Sequence, residues 1–328
     1  MPLSVRSGFS IIAASAAAFL VAAGSGRAEQ LIKVRVSTIP IIDTVPLAAA
    51  IAQNYFKTEG LDVDMTATVG GAVGLPALAA EQIHIGYSNV VSILLGSYEG
   101  LEFTIIAAGS ASSDAPPNTA GLFGKKSTSI ASGKDLEEKR VAVNTRNSIN
   151  WVVVREWARL TGGDPNRINF QEVPFPSMVD ALRTNQIDAG FTVEPFLSAG
   201  VNAGTSQVIG WPYDRIMKRV PISQYAANKS YIEKNPKLIE RWVRAYNKGI
   251  DWTNTNRGTE EWVKLVAAHT RMTPKQVRNI ALPVWDKTVD PAGLEKMTEL
   301  MRIHGLIARD RKLDIPALLY ATARKPPQ

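Results

Sequence analysis

The 328-residue sequence contains no cysteine and only three histidines. The absence of cysteine excludes a disulfide framework, an iron–sulfur cluster, a thiolate metal site and a cysteine nucleophile. His84, His269 and His304 lie far apart in the sequence, which disfavours a histidine-rich metal site. We therefore expect no bound metal and no cofactor.

A concentrated basic surface is also missing. Lys and Arg exceed Asp and Glu by 37 to 30, but no basic run is interleaved with aromatic residues, which disfavours nucleic-acid binding. No Gly-x-Ser-x-Gly motif is present to support a serine hydrolase. The 45% hydrophobic and 20% charged residues are typical of a globular protein, and the length favours two domains.

Only one long apolar run occurs, at residues 9–23. It follows Arg6 and precedes Gly26-Arg27-Ala28, which is the pattern of a signal peptide cleaved after Ala28. The alternative is a membrane anchor, but the run is short and rich in Ala, whereas a spanning helix needs about 20 apolar residues. We expect a periplasmic mature chain whose net charge is two units below the +7 of the full sequence.

Two segments of the mature chain resemble each other. Residues 77–88 match residues 181–192 at a constant offset, and predicted strands precede them near 34–38 and 140–144. Each unit reads as strand, helix, strand, short helix and strand, which predicts parallel sheet in two similar domains. Chance similarity among common residue types is the alternative.

The sequence between and after these units predicts how the domains are joined. Residues 109–121 are small and polar with two prolines, as in a crossing segment, and a second crossing is expected near residues 208–222. The pattern after residue 221 is all helical, and we expect this part to pack on the first domain. The predicted organisation is 1–28 signal peptide, 29–115 with 216–328 as domain 1, and 116–215 as domain 2.

Three phrases of the sequence carry a family resemblance. Residues 37–50 lead into Tyr55-Phe56-Lys57-Thr58-Glu59-Gly60-Leu61-Asp62-Val63, and the second unit contains residues 186–190 and Val193-Glu194-Pro195-Phe196. Together they resemble the nitrate/sulfonate/taurine class of ABC-transporter solute-binding proteins, which includes thiamine-precursor binders. The resemblance covers roughly residues 32–270. His84 departs from it, because that position more often carries Asp.

The resemblance implies an α/β chain with the type II periplasmic-binding-protein fold. Such a fold has two mixed, mostly parallel-sheet domains, two crossing segments, a helical C-terminal extension and a ligand in the cleft between the domains. It also implies closure of the domains on the ligand and delivery to the permease subunits of an ABC importer. We expect a monomer that binds no nucleic acid.

Ligand-contacting residues are expected just after the predicted strands, because ligands of parallel sheets lie beyond the carboxyl ends of the strands. The candidates are Pro40, Ile41, Asp43, Thr44, Gly70, Gly71, Ala72, Ser88, Asn89, Thr145, Arg146, Asn147, Ser148, Phe175 and Glu194. Helix N-termini at these loops favour anions. The sequence thus predicts a small, partly anionic organic ligand, sulfonate- or carboxylate-like, and Glu194 leaves room for an N–H donor on it.

Two other functions remain open from the sequence. One is a biosynthetic enzyme of the same fold, of the thiamine-pyrimidine or menaquinone pathway type. The pyrimidine synthase pattern uses a cysteine-rich segment that this chain lacks, and an exported chain does not suit biosynthesis, so we expect no enzyme. The other is a ligand-binding subunit of a membrane sensor.

Overall fold

The computed structural model describes Met1 and residues 30–324 of the chain. The predicted signal peptide lies outside the described residues. From Leu31 onward the chain forms one compact unit. No helix within residues 30–324 combines the length and the hydropathy needed to span a membrane.

Residues 30–324 contain ten strands in two five-stranded sheets with the orders β2-β1-β3-β10-β4 and β7-β6-β8-β5-β9. The strands are β1 (Ile32–Thr38), β2 (Leu61–Ala67), β3 (Ile85–Asn89), β4 (Phe103–Ala111), β5 (Ala120–Lys125), β6 (Arg140–Val143), β7 (Asn169–Glu172), β8 (Ala189–Val193), β9 (Ser206–Gly210) and β10 (Pro221–Asn228).

Fifteen α-helices surround the sheets in the same part of the chain, some of them a single turn long. They are α1 (Val45–Ala52), α2 (Tyr55–Thr58), α3 (Leu75–Ala79), α4 (Val90–Tyr98), α5 (Gly133–Leu136), α6 (Ile149–Leu160), α7 (Phe175–Arg183), α8 (Phe196–Asn202), α9 (Lys229–Lys234), α10 (Pro236–Thr255), α11 (Glu260–Thr270), α12 (Pro274–Val277), α13 (Pro291–Ile303), α14 (Ile315–Leu318) and α15 (Ala321–Arg324). Short 3-10 turns lie at Ile42–Thr44, Gly71–Gly74, Pro165–Arg167 and Pro212–Arg215.

The two sheets repeat one pattern of pairing. In each, the first three strands are parallel, and the fourth runs antiparallel to both of its neighbours. Ser37 pairs with Gly86 in one sheet, and Ala142 pairs with Gly190 in the other. The central strands β3 and β8 are buried, as expected when helices cover both faces of a sheet. The predicted pair of mixed, mostly parallel α/β sheets is confirmed.

The prediction that the chain is all helical after residue 221 is wrong. Residues 221–228 form β10, which pairs with β3 and β4 in the middle of the first sheet. Seven of its eight residues are buried, so β10 is a core strand. Its polar sequence, Pro-Ile-Ser-Gln-Tyr-Ala-Ala-Asn, lacks the apolar alternation that would have indicated a strand.

The chain crosses between the sheets at residues 112–119 and again at residues 211–220, and the two segments are bonded to each other. The backbone N–H of Ser112 donates to the carbonyl oxygen of Val220 (2.9 Å), and the side-chain amide of Asn118 donates to Asp214 (2.8 Å). We call the first sheet with α1–α4 and α9–α15 the first lobe, and the second sheet with α5–α8 the second lobe. The residue limits of the domains stay a prediction.

Helix α10 joins the C-terminal helices to the first lobe. Its apolar positions, which the sequence places on one face, are buried: Ile239, Trp242, Val243, Tyr246 and Ile250. The Trp242 ring stacks on the Tyr246 ring at 5.3 Å, and both rings lie against Tyr225 of β10. This aromatic cluster holds the first sheet rigidly behind the loops that follow β1 and β3.

Candidate functional site

A cavity lies between the lobes, where the carboxyl ends of β1, β3 and β8 meet. It contains about 460 Å³ free of protein atoms, part of which is open to solvent. The first lobe contributes Ile39, Ile41, Asp43, Gly71, Tyr87, Asn89, Ile222 and Ser223. The second lobe and the crossing segments contribute Thr119, Ala120, Asn144, Ile149, Asn150, Phe175, Val193 and Tyr213.

Asp43 is the acidic group of this cavity. The residue lies in the 3-10 turn after β1 with only 3% of its surface exposed, and Trp285 Nε1 donates to its carbonyl oxygen at 3.0 Å. Burial raises the pKa of its carboxyl from 3.8 to about 6, although a hydrogen bond from Ser110 opposes the shift. The carboxylate is therefore ionised at neutral pH and held in a poorly hydrated position.

Two serine hydroxyls form a hydrogen-bonded chain that ends on this carboxylate. Ser110 Oγ donates to Asp43 Oδ1 at 2.6 Å, and Ser110 Oγ lies 2.9 Å from Ser223 Oγ. Because an ionised carboxylate can only accept, the single hydroxyl hydrogen of Ser110 goes to Asp43 and Ser223 donates to Ser110. Ser223 in turn accepts from the backbone N–H of Ser110 at 3.1 Å. The chain of donors stabilises the ionised form of Asp43.

Two tyrosines, Tyr87 and Tyr213, line the same cavity as Asp43. Burial and the charge of Asp43 both raise the pKa of Tyr213, and the same two causes raise that of Tyr87. Both phenols therefore stay protonated at neutral pH. The Tyr213 hydroxyl is buried and has no hydrogen-bond partner among residues 30–324. Such a group has an unused donor and acceptor at the cavity.

Asn89 links the two lobes at the cavity. Its side-chain oxygen accepts from Ser92 N, at the start of α4, and from Ile149 N, at the start of α6 in the second lobe, both at 3.0 Å. Ser148, directly before α6, donates its hydroxyl to Thr145 O at 2.7 Å and makes no side-chain cap. The N-terminus of α6 is therefore capped across the cleft by the first lobe.

Gly70 and Gly71 let the loop after β2 come close to the end of β3 and to the second lobe. A Cβ atom at Gly71 would lie 2.6 Å from Ser88 Cα, so the loop packs directly on the backbone at the end of β3. A Cβ atom at Gly70 would lie 3.0 Å from the Asn144 side chain of the second lobe. Ser88 is fully buried beneath this loop, and Ala72 lies beyond the cavity lining.

The loop after β6 has some residues at the cavity and others exposed to solvent. Asn144 and Asn150 line the cavity and bond to each other, with Asn150 Nδ2 donating to Asn144 Oδ1 at 2.7 Å. Arg146 is exposed, and its guanidinium donates to Phe170 O on the outer strand β7. Asn147 is exposed in a left-handed conformation, with φ of 57°.

Glu194 is a second buried carboxyl group at the end of β8. It accepts from the backbone N–H of Ser198 at 3.1 Å and from the Ser198 hydroxyl. Burial raises its pKa, the bonds from Ser198 lower it, and the charge of Asp43 raises it further. The Glu194 side chain thus sits behind Val193, which lines the cavity.

Thr44 and Pro40 lie on the far side of the loop after β1. The Thr44 hydroxyl donates to the carbonyls of Ile39 and Ile41 and lies 2.8 Å from His269 Nε2 of α11. Pro40 is exposed and, with His269, borders a separate surface groove. These residues support the loop from behind.

Five of the fifteen sequence candidates line the cavity, namely Ile41, Asp43, Gly71, Asn89 and Phe175. Among the other ten, Pro40, Thr44, Gly70, Ala72 and Ser88 lie next to these five in the same loops. The remaining candidates lie in other loops, with Thr145, Arg146, Asn147 and Ser148 after β6 and Glu194 after β8. Contact of these ten residues with a ligand stays a prediction. Asn144 and Asn150 were not among the candidates, although they flank the candidate residues 145–148, and their polar side chains beside the end of β6 and the start of α6 are the signal that could have indicated them. Tyr213 and Ser223 come from the second crossing and from β10, where no local pattern marked them.

The cavity has a lining of mixed polarity. Its described lining combines apolar side chains with amides, hydroxyls and one carboxylate. This combination suits a small organic molecule that is held by a few hydrogen bonds and enclosed by apolar contacts.

The chain belongs to the family described as "NMT1/THI5 like", whose model matches residues 42–257. The family resemblance inferred from the sequence is thereby confirmed, and the fold is that of a periplasmic binding protein. A relative from Bacillus subtilis (strain 168), "Putative binding protein YtlA", is 24% identical over 263 residues, covering 77% of this chain and 75% of that protein.

Two solved structures share the fold. The periplasmic aliphatic sulphonate binding protein SsuA from Escherichia coli aligns with a TM-score of 0.69 and 17% identity, over 87% of this chain and 96% of that one. The periplasmic nitrate-binding protein NrtA from Synechocystis PCC 6803 aligns with a TM-score of 0.74 and 14% identity, over 88% of this chain and 85% of that one. At these identities the comparison concerns the fold alone.

Proposed function

We propose that this chain is an extracytoplasmic binding protein that captures a small organic molecule between its lobes and delivers it to an ABC importer. The observation that carries the proposal is the cavity at the strand ends, lined from both lobes and by both crossing segments. A ligand that contacts both lobes stabilises their closure, and closure is a signal that a membrane partner can recognise. The names of the relative and of the two structural neighbours support binding as the activity.

The names of the neighbours, a sulphonate- and a nitrate-binding protein, favour an anionic ligand, and the sequence predicted a partly anionic organic ligand that is sulfonate- or carboxylate-like. This is one of two ligand classes that should be tested. The other follows from the charge of the cavity.

A ligand screen by thermal unfolding of the mature chain tests binding directly. At a hundredfold excess over Kd, a ligand should stabilise the fold by about 2.7 kcal/mol. Asn150→Ala should weaken the binding of a hit about 5- to 100-fold, because one buried hydrogen-bonding group is lost. Asn169→Ala, on the exposed outer strand β7, is the matched control and should bind like the wild type. Equal binding by Asn150→Ala would place the ligand outside this cavity.

Transport, sensing and catalysis make different predictions once a ligand is known. A strain that lacks the chain should lose uptake of the labelled ligand, whereas a sensor subunit would leave uptake intact and abolish a response. A biosynthetic enzyme, the family's other activity, would convert the molecule. Recovery of the ligand unchanged after long incubation with the protein is the outcome that a binding protein requires.

Export is tested at the N-terminus. The protein recovered from the periplasm should begin at or within a few residues of Glu29. Recovery of the intact chain from the membrane fraction would contradict cleavage.

A further inference from the structure

The charge of the cavity allows the ligand to be described more closely, on the basis of the proposed binding function. We propose that the ligand is an organic cation that carries N–H donors, such as a primary ammonium or an amidinium group. Its cationic group bonds the carboxylate of Asp43, and its apolar body lies between Ile41 and Phe175.

Asp43 is the first reason. Within the described residues, the cavity lining contains this carboxyl group and no Lys or Arg. A buried carboxylate without a counter-charge is unfavourable, and a ligand cation supplies the missing charge. Glu194, close enough for its pKa to respond to Asp43, adds negative potential to the same region.

The geometry around Asp43 leaves room for a donor from the ligand. Ser110 bonds Oδ1, the backbone N–H of Asp43 itself also bonds the carboxylate, and no other side chain among residues 30–324 donates to it. Charged N–H groups form short, strong bonds to carboxylates, and one side of Asp43 remains for such a bond.

Tyr213 is an independent observation at the same site. Its hydroxyl, at a residue only 1% exposed, has no partner among the described residues, although it borders the cavity. A buried unpaired hydroxyl is unfavourable unless something occupies it. The ligand therefore carries an oxygen or nitrogen acceptor for Tyr213 in addition to its cationic group.

Part of the best site for an anion is already used by the protein. An anion in this fold would be expected at the N-terminus of α6, but the N–H of Ile149 donates to Asn89 Oδ1 at 3.0 Å. An anionic ligand would also face the Asp43 carboxylate with no basic side chain nearby in the described lining. The pKa of Asp43, raised to about 6 by burial, agrees with a carboxylate that lacks a counter-charge.

The test compares compounds of similar shape and different charge. Benzylamine, benzamidine and tyramine serve as cations, benzyl alcohol as the neutral compound, and benzoate and benzenesulfonate as anions. Aliphatic sets with amine, alcohol and sulfonate end groups extend the panel. Thermal unfolding and calorimetric titration are run on the wild type, Asp43→Asn, Tyr213→Phe and the exposed control Asp62→Asn.

We expect the stabilising compounds to be cations, with an affinity at least tenfold lower for Asp43→Asn and unchanged for Asp62→Asn. Tyr213→Phe should weaken tyramine, which carries an acceptor, about 3- to 10-fold and leave benzylamine unchanged. Circular dichroism checks that each variant is folded.

Three outcomes would overturn the inference: stabilisation by the anions, tighter anion binding by Asp43→Asn with cations unaffected, or no response to any cation. Anions that bind in the cavity would overturn the ligand class and leave the binding function intact. A wild type that binds neither these compounds nor any in the broader screen would count against the binding function itself.

Discussion

A single carboxyl group in the cavity should reduce the stability of the whole protein. The pKa of Asp43 is 3.8 in its ordinary state and about 6 in the fold, because burial disfavours the charged form. The penalty is absent below pH 3.8, grows as the pH rises to about 6, and is complete above that. It amounts to about 3 kcal/mol at pH 7 on the scale of 1.36 kcal/mol per pKa unit.

Asp43→Asn should therefore be more stable than the wild type at pH 7, by about 1–3 kcal/mol. Asparagine still accepts from Ser110 but needs no counter-charge. Urea unfolding at pH 7 and pH 4.5 measures the difference, which should shrink strongly at the lower pH. A variant that is less stable than the wild type at pH 7 would show that Asp43 stabilises the fold.

A second prediction about single residues concerns Ala substitutions at Gly71 and Gly70. A Cβ atom at Gly71 meets Ser88 Cα at 2.6 Å, a backbone atom that cannot move away easily. Gly71→Ala should lower the free energy of unfolding by about 1–3 kcal/mol, as overpacking typically does. At Gly70 the near atom, at 3.0 Å, belongs to the flexible Asn144 side chain across the cleft. Gly70→Ala should therefore unfold like the wild type, and equal stability of the two variants would contradict this account.

At this scale the sequence predicted the loops better than the contacts. Asp43, Gly71 and Asn89 were found because they follow strands, and strand ends converge in a parallel sheet. Arg146 was a candidate as a basic residue near a helix start, yet its guanidinium turns toward β7. Tyr213 depends on how the second crossing packs against the second lobe, which local sequence does not encode.

Among the elements, α11 supports the loop after β1 through His269, which is partly buried. Burial lowers the pKa of His269 from 6.5 to about 4, although a hydrogen bond to Ile41 opposes the shift. Because the Thr44 hydroxyl donates to backbone carbonyls, the neutral His269 ring donates from Nε2 to Thr44. As the pH falls toward this pKa, the ring gains a proton and the neutral form is lost.

The contribution of neutral His269 to the free energy of unfolding is fully present above pH 6.5. It is lost as the pH falls toward 4. At pH 5 the loss should be about 2 kcal/mol relative to pH 7.5. In His269→Gln, which can still donate to Thr44, this part of the pH dependence should vanish. Urea unfolding of both proteins at pH 7.5 and 5.0 isolates it, since the contribution of Asp43 is common to both. Parallel pH profiles would refute a neutral His269.

Elements with strong local patterns were predicted and the others were not. Helices α7 and α10 have prolines in their first turns, and α6, α7 and α10 all have clear apolar stripes. Strand β10 has neither, and its pairing with β3 and β4 depends on partners more than a hundred residues away. Long-range pairing of this kind cannot be read from a short window of sequence.

At the scale of the whole molecule, three close approaches between the lobes stand out. They are the bond from Ile149 to Asn89, the approach of Gly70 to Asn144, and a buried pair remote from the cavity, His304 Nε2 with Glu156 Oε2 at 3.0 Å. His304 follows α13 of the first lobe, and Glu156 lies in α6 of the second. Burial favours the protonated form of Glu156, but bonds from Arg159 and His304 outweigh it and lower the pKa to about 2.

The His304–Glu156 pair, which lies away from the cavity, leads to a prediction about closure of the lobes. A two-state hinge binds its ligand with an affinity that falls as the closed state becomes less favourable, even when no ligand contact changes. His304→Ala removes a bond that exists only when the lobes meet. It should increase the radius of gyration of the free protein in small-angle scattering and weaken ligand binding about 3- to 30-fold. Saturating ligand should restore the radius of the wild type.

His84→Ala is the matched control, because the His84 ring stacks on Tyr231 at 4.8 Å entirely within the first lobe. It removes a histidine of the same size without touching the contact between lobes. The control should therefore keep both the wild-type radius and the wild-type affinity. If His304→Ala also kept them, the Glu156–His304 pair would contribute nothing to closure, and the other contacts between the lobes would account for it.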